Sequence, residues 1–517
     1  MESAYTLATL ARRGVLAPGP PRATIRQLYA LHRWGYGLAG ELHAAAARDP
    51  DRLAIVDERG WLTYGELRSR SERLAGFLHG ALGVAAVDRI GLLCRNHGGL
   101  VEGMVAASLL GVDVVLVNTG LSPAQLHTVA GEQRLRVLIH DNEFAEHVAA
   151  LPHHVIALPA SRAEHLLYTA RPYQSGRRPG EGHTIVLTSG TTGTPKGARR
   201  PNPGGLAPLA SILSRIPLLV GERMLIAAPL FHTWGYAALQ VALALRATVV
   251  LQRRFEPGAT LTALHRHGCT ALFAVPVMLQ RLLEAGACRP PGLRVVAVSG
   301  AALPGALATR FMAVHGDVLY NLYGSTEASW ISIATPAQLC RYPQTAGRPP
   351  RGTRIEILGD DGLPLPPGRI GRIFVGNDML FEGYTDGAAR ETREGLLATG
   401  DLGHLNRHGL LFVDGREDDM IISGGENVFP GEVEDLLARL PQVRDVTVSG
   451  VSDDRFGQRL AAWIVLYPGE WLDAEAVREY VRRYLARFSV PRDVHFLNAL
   501  PRGPTGKVVP RYLPGRQ

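Results

Sequence analysis

Residues 184 to 197 read TIVLTSGTTGTPKG, an apolar, strand-like run that breaks into six Ser, Thr and Gly residues before it reaches Lys196. Small residues let backbone N–H groups approach anionic oxygens, the hydroxyls donate further hydrogen bonds, and Lys196 adds a point charge, so the segment suits a polyphosphate. It is not a Walker A loop: Gly190 and Gly193 precede Pro195 and Lys196, and Gly197 stands where that motif needs a metal-binding hydroxyl. A flexible Gly/Ser/Thr linker shares the composition. A linker does not usually follow a buried strand so abruptly or end in a rigid Pro-Lys-Gly.

Outward from this loop, residues 38 to 180 alternate helix-like and strand-like pieces, such as LTYGELRSRSERLAGFLHGAL and RIGLLCRN. Downstream, HTIVLTSG, RMLIAAPLFHTWG, ATVVLQR, TALFAVPV, LRVVAVSG and VLYNLYGSTEA are short apolar runs that end in turn or polar residues. This predicts an α/β fold with its polar motifs at the strand ends, where open α/β sheets gather ligands. Beyond residue 340, Pro and Gly cluster between β-rich runs, predicting a small antiparallel subdomain. Three acids and a Gly-Gly pair in GREDDMIISGGENVFPGEVE mark a boundary, giving residues 1 to 417 and 418 to 517 as two domains. A helix is expected from near Pro430, with Glu432, Glu434 and Asp435 favouring its positive end. About a hundred residues then remain, enough for a small α+β domain.

At 517 residues the chain exceeds the size at which one core keeps growing, and 46% hydrophobic with 20% charged residues is a globular composition. The net charge of +8 comes from scattered arginines without a basic block or an aromatic-interleaved stripe, so no nucleic-acid surface is expected. Cys94, Cys269, Cys288 and Cys340 form no C-x-x-C pair, which argues against a disulfide framework or zinc site and fits a reduced cytosol. The amphipathic N-terminus lacks a signal-peptide core, and no run is long enough to span a bilayer, so a soluble, cytoplasmic protein is expected.

The ordered blocks TSGTTGTPKG, PLFHTWG, VSGAALPG, YGSTEA, TGDL, GREDDMIISGGENVFPGEVE and PRGPTGK resemble the adenylate-forming superfamily, particularly its acyl-CoA synthetase branch of bacterial fatty-acid type. The resemblance implies a large N-terminal domain and a small mobile C-terminal one, with ATP, Mg2+ and coenzyme A as co-reactants of a hydrophobic carboxylic acid. It implies that Thr188, Ser189, Gly190, Thr191, Thr192, Gly193 and Lys196 hold the β- and γ-phosphates. Gly300, Ala301 and Ala302 would wall the adenine, with Tyr323 stacking and Gly324, Ser325 and Thr326 completing the nucleotide site. Asp401 would accept the ribose hydroxyls with Arg416 in support, Glu327 would bind magnesium, and Lys507 would bridge the substrate carboxylate and the α-phosphate. Asp418 would be the hinge, Gly424 and Gly425 would line the CoA tunnel, and His232, Trp234, Gly235 and Gly300 would line the acyl pocket. His232 and Trp234 resemble a gate between acyl pocket and thiol tunnel.

Taken singly, these residues have plainer readings. Glu327 also reads as a helix-dipole acid, Asp401 as a turn acid, Asp418 as part of a solvated charge run, His232 as a core histidine and Trp234 as packing. Pro510 stands close behind the lysine and stiffens that loop, while Ser489 replaces a lysine frequent in the family. Three activities remain open: an acid–CoA ligase, a ligase that loads a carrier protein, and an enzyme that only thioesterifies an adenylate supplied by an upstream adenylating enzyme. PLFHTWG lacks the acid with which amino-acid-activating domains pair the substrate ammonium, and the chain carries no carrier domain of its own.

Overall fold

The 184 to 188 run is a central strand, Thr184–Thr188, parallel to Asp113–Leu116 on one side and antiparallel to Lys196–Arg200 on the other. The computed structural model describes residues 2 to 149, 151 to 174, 182 to 188, 195 to 286, 289 to 423, 426 to 453, 457 to 503 and 506 to 515. Among them are four sheets. Ile185, Val186 and Leu187 are buried in succession, as expected of a strand covered on both faces.

That strand belongs to a seven-stranded sheet, which lies against an eight-stranded one. In the larger sheet Leu319–Ser325, Val295–Val298, Ala271–Ala274, Arg223–Ile226, Thr248–Leu251 and Leu53–Asp57 run parallel in that order. Ser329–Ala334 and Gly60–Thr63 close its edges antiparallel. The Gly98–Leu110 helix is apolar almost all round because it packs on strands of both sheets. Alanines 44 to 46 of the Leu38–Arg48 helix let it approach the Thr233–Ala244 helix closely. The expected LTYGELR helix is Tyr64–Gly80, held by a Thr63/Glu66 capping box worth about 1 kcal/mol. Its buried Tyr64 hydroxyl donates to the Ala247 carbonyl at 2.7 Å.

The Pro/Gly-rich stretch builds a five-stranded antiparallel sheet that includes Arg354–Leu358, Gly371–Gly376, Leu396–Leu405 and Leu411–Arg416. The fourth sheet, also five-stranded, begins at Ile421 and is covered by the Pro430–Leu437 and Ala474–Tyr484 helices through Val433, Leu437, Val477 and Val481. This C-terminal unit meets the rest of the chain mostly through polar contacts. Arg444 pairs with Glu284 at 2.8 Å, Arg310 donates to the Tyr467 hydroxyl at 2.6 Å, and Gln344 donates to Asp435 at 2.8 Å. Such an interface permits relative motion better than an apolar one. No helix among the described residues is long and apolar enough to cross a membrane.

One expectation about the C-terminal unit needs revision. Glu434 and Asp435 were expected to favour the helix dipole, but both are committed to tertiary contacts. The Glu434 Oε1 accepts from Thr447 Oγ1 at 2.9 Å and from the Val448 amide at 2.7 Å, while Asp435 faces Gln344. Ser489, where a lysine is frequent in the family, is buried at 2% exposure.

Burial pushes the Glu434 carboxyl up to about 7, above an ordinary glutamate's 4.5. The folded state therefore holds this proton more tightly than the unfolded chain. The stability it contributes is fully present below pH 4.5 and is lost as pH rises through about 7. The loss is on the order of 3 kcal/mol. Glu434→Gln, which mimics the protonated acid, should raise the unfolding midpoint of the C-terminal unit at pH 8 and change it little at pH 4, as measured by denaturant titration at both pH values.

Candidate active site

The parallel strands of the larger sheet stop along one edge, and the polar motifs begin there. Arg223–Ile226 leads to His232, the N-cap of the Thr233–Ala244 helix, and Val295–Val298 leads to Gly300, Ala301 and Ala302, which face open space. Leu319–Ser325 carries Tyr323, Gly324 and Ser325 and turns through Thr326 and Glu327 into Ser329–Ala334. Gly324 is required at that hairpin, since a Cβ there would lie 1.9 Å from the Ser329 carbonyl oxygen. The Ser325 hydroxyl accepts from the Ala328 amide at 3.0 Å and closes the turn.

Asp401 reaches the same edge from the antiparallel sheet, where it is in register with Arg416. Its carboxylate accepts from the Tyr323 hydroxyl and pairs with Arg416 Nη1 at 3.4 Å. Burial raises the Asp401 pKa, while the Tyr323 hydroxyl, Arg416 and Lys507 all act to restore the anion. Burial and then Asp401 raise Tyr323 in turn, so its phenol stays a donor. Tyr323 is thus a hydrogen-bonding partner of the expected ribose acid as well as a half-buried ring beside Gly300. Arg416 also holds Asp418 at 2.9 Å, which joins the expected hinge to this pair.

Glu327 is 8% exposed, and its Oε1 accepts from the Tyr384 hydroxyl at 2.6 Å, with Arg390 3.9 Å away. Arg390 Nε also donates to the Tyr384 oxygen at 3.2 Å. Burial and Glu327 push Tyr384 up to about 12, so it remains protonated. Among the described residues the Glu327 Oε2 accepts no hydrogen bond, which suits a carboxylate that offers one oxygen to a hard cation. Buried Arg200 donates to the Thr326 carbonyl at 2.6 Å, and Thr233 Oγ1 donates to Thr326 Oγ1 at 3.0 Å. These bonds tie the YGSTEA turn to both neighbouring elements.

Lys507 arrives on a hairpin of the C-terminal unit in which Gly503 donates to the Lys507 carbonyl at 2.8 Å and Arg502 bridges Val508. Arg502 clamps Asp445 through both carboxylate oxygens and donates to the Gly506 carbonyl at 2.5 Å. The turn docks tightly, for a Cβ at Gly506 would lie 2.5 Å from Val277 Cγ1. The lysine keeps solvent access along its side chain, yet crowding by protein lowers its pKa, as does Arg416, while Asp401 and Glu327 oppose that shift. The cleft position explains both facts. Behind it, Pro510 starts the short Pro510–Tyr512 turn of helix. Burial, and then the Lys507 cation, push His232 down to about 3, so its imidazole is neutral. His232 Nε2 is buried without a partner, and the ring leans on Phe231 at 4.5 Å between centroids.

The structure brings His232, Gly300, Tyr323, Thr326, Glu327, Asp401, Arg416 and Lys507 to one cleft. Trp234 is instead packed behind it: its indole donates to the Ala274 carbonyl at 3.0 Å and its ring lies 5.1 Å from Phe273. Gly235 is buried beside it. Thr188 Oγ1 donates to the Lys196 carbonyl at 3.3 Å, and the Lys196 ammonium pairs with Asp386 at 3.0 Å. Ser189, Gly190, Thr191, Thr192, Gly193, Gly424 and Gly425 lie outside the described residues. Tyr384, Arg390, Arg200 and Thr233 were not among the residues expected at the site. Thr233 lies within PLFHTWG and Arg200 three residues beyond TSGTTGTPKG, whereas Tyr384 and Arg390 sit in a polar connection without periodicity.

Among the described residues one further group could hold a metal, Cys94, His97 and Asp141. Its valences are already used. His97 Nε2 bonds Asp141 at 2.8 Å, His97 Nδ1 accepts from the Leu100 amide at 3.3 Å, and Arg253 pairs with Asp141 at 2.9 Å.

Residues 42–385 match the AMP-binding enzyme family, and residues 432–507 match the AMP-binding enzyme C-terminal domain. Feruloyl-CoA synthase of an Amycolatopsis species is 33% identical over 90% of this chain and 96% of its own length. The 2-succinylbenzoate–CoA ligase of Bacillus subtilis is 32% identical over 90% of this chain and 95% of its own. Among solved structures, o-succinylbenzoate CoA synthetase from Bacillus subtilis, in complex with its acyl-adenylate intermediate, superposes with a TM-score of 0.82. It is 30% identical and covers 92% of this chain and 98% of its own. With two family domains in this order around a shared cleft, the chain belongs to the AMP-binding enzymes, the adenylate-forming superfamily, in its acyl-CoA synthetase branch of acid–thiol ligases.

Proposed function

We propose that this chain activates an apolar carboxylic acid with ATP as an acyl-adenylate, releasing pyrophosphate, and then transfers the acyl group to the thiol of coenzyme A. The observation that carries this reading is the meeting of Lys507 with Asp401, Arg416 and Glu327 across two units of the chain. A carboxylate attacking the α-phosphate brings two anions together, and fixed positive charge offsets their repulsion. Lys507 supplies that charge beside the acid. Asp401, its anion sustained by Tyr323 and Arg416, accepts the ribose hydroxyls, and Gly300, Ala301 and Ala302 give adenine a wall free of side-chain bulk. The loop from Thr188 to Lys196 takes the outer phosphates, with the Lys196 ammonium exchanging Asp386 for phosphate oxygens.

Glu327 would hold Mg2+ through its free oxygen, and the ion would neutralise phosphate charge. Tyr384 and Arg390 fix the Glu327 carboxylate on its other oxygen, so it is oriented before nucleotide arrives. His232 is neutral and serves as a polar wall between the acyl group and the lysine rather than as a second cation. For the thiol step the C-terminal unit would turn about Asp418, withdrawing Lys507 and bringing Gly424 and Gly425 toward the adenylate. The polar contacts of Arg444, Arg310 and Gln344 are of the kind that such a turn can break. The relatives named above include enzymes for aromatic acids, which supports a bulky apolar acid as the substrate class.

Three outcomes are expected. Lys507→Ala should lower acid-dependent pyrophosphate release by about 100- to 1000-fold, while thioester formation from synthetic acyl-AMP falls less than about tenfold; equal losses would remove Lys507 from the first step. Tyr384→Phe should raise the Mg2+ concentration for half-maximal adenylation by about tenfold, read by pyrophosphate release in a Mg2+ titration at saturating acid. Because its pKa is lowered, Lys507 should lose its proton below the range of an ordinary lysine, so the alkaline limb of adenylation should fall below 10.5 in a pH–rate profile. Thioester assays with free CoA and with a holo carrier protein identify the acyl acceptor.

A further inference from the structure

The connection from Gly383 to Arg390 is stapled to the strand that returns from the TSGTTGTPKG loop. Gly383 and Tyr384 pair antiparallel with Arg199 and Ala198, and the Thr385 amide donates to the Gly197 carbonyl at 2.8 Å. Gln133 Nε2 donates to Thr385 Oγ1 at 3.0 Å. A Cβ at Gly197 would lie 2.6 Å from that oxygen, so the seam has no room for a side chain. This close fit fixes what the connection presents to the cleft. One Asp386 oxygen accepts from the Ala388 amide at 2.9 Å, and the other pairs with the Lys196 ammonium at 3.0 Å. The same ammonium lies 5.9 Å from the centre of the Tyr384 ring, whose hydroxyl donates to Glu327.

Arg390 ends the connection, and its guanidinium is only partly used. Nε donates to the Tyr384 oxygen at 3.2 Å, and Nη2 lies 3.9 Å from Glu327 Oε1. Among the described residues neither Nη group makes a hydrogen bond, and 32% of the side chain is exposed. Nη1 crowds Gly400, where a Cβ would lie 3.0 Å from it and 3.4 Å from Arg416 Nη2. Two guanidiniums therefore converge on the glycine that precedes Asp401. Arg416 is answered by Asp401 and Asp418. Among the described residues Arg390 has only Glu327, beyond hydrogen-bond distance and already bonded by Tyr384. Like charges so placed repel each other, and an incoming anion relieves the repulsion.

The connectivity of a nucleotide says which anion. In ATP the triphosphate joins the ribose to the phosphates that share a metal. Arg390 reaches from the neighbour of Asp401, the proposed ribose acid, to Glu327, the proposed metal acid, so it lies beside the triphosphate of a nucleotide held by both. Two unused Nη groups on a planar fork suit paired phosphate oxygens better than a point charge does.

We propose that Arg390 binds the β- and γ-phosphates of ATP directly, together with Lys196, and stabilises pyrophosphate as it departs. The inference rests on the ligase reading above and adds a substrate-contacting residue to that site. When the carboxylate oxygen bonds to the α-phosphorus, the bond from that phosphorus to the bridging oxygen breaks. Its electron pair leaves on pyrophosphate, where charge accumulates beside the guanidinium. Asp386 occupies Lys196 until phosphate replaces it.

Lys196 and Lys507 are the only lysines in the chain, so amine labelling read by peptide mass spectrometry reports occupancy at two points of the cleft. Pyrophosphate should protect Lys196 in the wild-type enzyme. At saturating Mg2+, Arg390→Met should raise both the pyrophosphate concentration for half-protection and the KM for ATP by at least about tenfold. It should also lower kcat for acid-dependent pyrophosphate release, yet bind an acyl-sulfamoyl adenosine, which has no outer phosphates, with unchanged affinity. Arg390→Lys, which keeps the charge without the fork, should recover part of the loss, and both variants should melt as the wild type does. A loss that excess Mg2+ abolishes would make Arg390 a positioning residue for Glu327 and overturn the contact. Equal weakening of acyl-sulfamoyl adenosine, protection unchanged in Arg390→Met, or no protection of Lys196 in the wild type would overturn it too. Each of these results leaves the ligase reading intact where the wild type still releases pyrophosphate with an acid. Arg390-dependent protection of Lys196 in an enzyme that releases no pyrophosphate with any acid would instead remove the ligase reading and leave a phosphate site.

Discussion

Asp401 carries a carboxylate into a place where only about an eighth of its side chain meets solvent, at the seam between the large parallel sheet and the antiparallel one. A charge there is costly unless donors surround it. Tyr323 comes from the first sheet, Arg416 from the second, and Lys507 from the C-terminal unit. These three groups oppose the rise in pKa that burial imposes on the Asp401 carboxyl. The proposed ribose acid thus depends on three separate parts of the tertiary structure. Removing one donor leaves a buried acid under-compensated, which costs more than the lost bond itself.

The same economy of charge explains the other groups in the cleft. Burial, and then the Arg416 guanidinium, lower the Lys507 pKa, while the Asp401 and Glu327 carboxylates oppose that shift. The His232 imidazole is kept neutral by burial and then by the Lys507 cation. The lysine rides on a unit that meets the rest of the chain through the polar contacts of Arg444, Arg310 and Gln344, and the withdrawal proposed for the thiol step requires those contacts to break.

Much of this was legible in the sequence where chemistry and local structure coincide. The strand at 184 to 188, the parallel runs ending in PLFHTWG and YGSTEA, and the helix at 64 follow from apolar periodicity, which depends on near neighbours. Gly324 shows how local such constraints are, since the Ser329 carbonyl that excludes a side chain there is five residues on. What could not be read depends on distant partners. Glu434 and Asp435 look like acids favouring a helix N-terminus, yet Thr447, Val448 and Gln344 claim them. Trp234 looks like a gate in a motif, but the Ala274 carbonyl, 40 residues on, holds it in the packed layer. Tyr384 and Arg390 lie in a stretch with no repeat or motif, and only the fold carries them to Glu327.

The central claim is that one cleft grips an acid–AMP mixed anhydride between Asp401 and Lys507, and a crystal structure with a non-hydrolysable acyl-sulfamoyl adenosine tests it most directly. The expected density places the ribose hydroxyls on Asp401, the adenine against Gly300 to Ala302, and the acyl-sulfamoyl linkage beside His232 and Lys507. Ligand bound elsewhere, or bound with its ribose remote from Asp401, would contradict it.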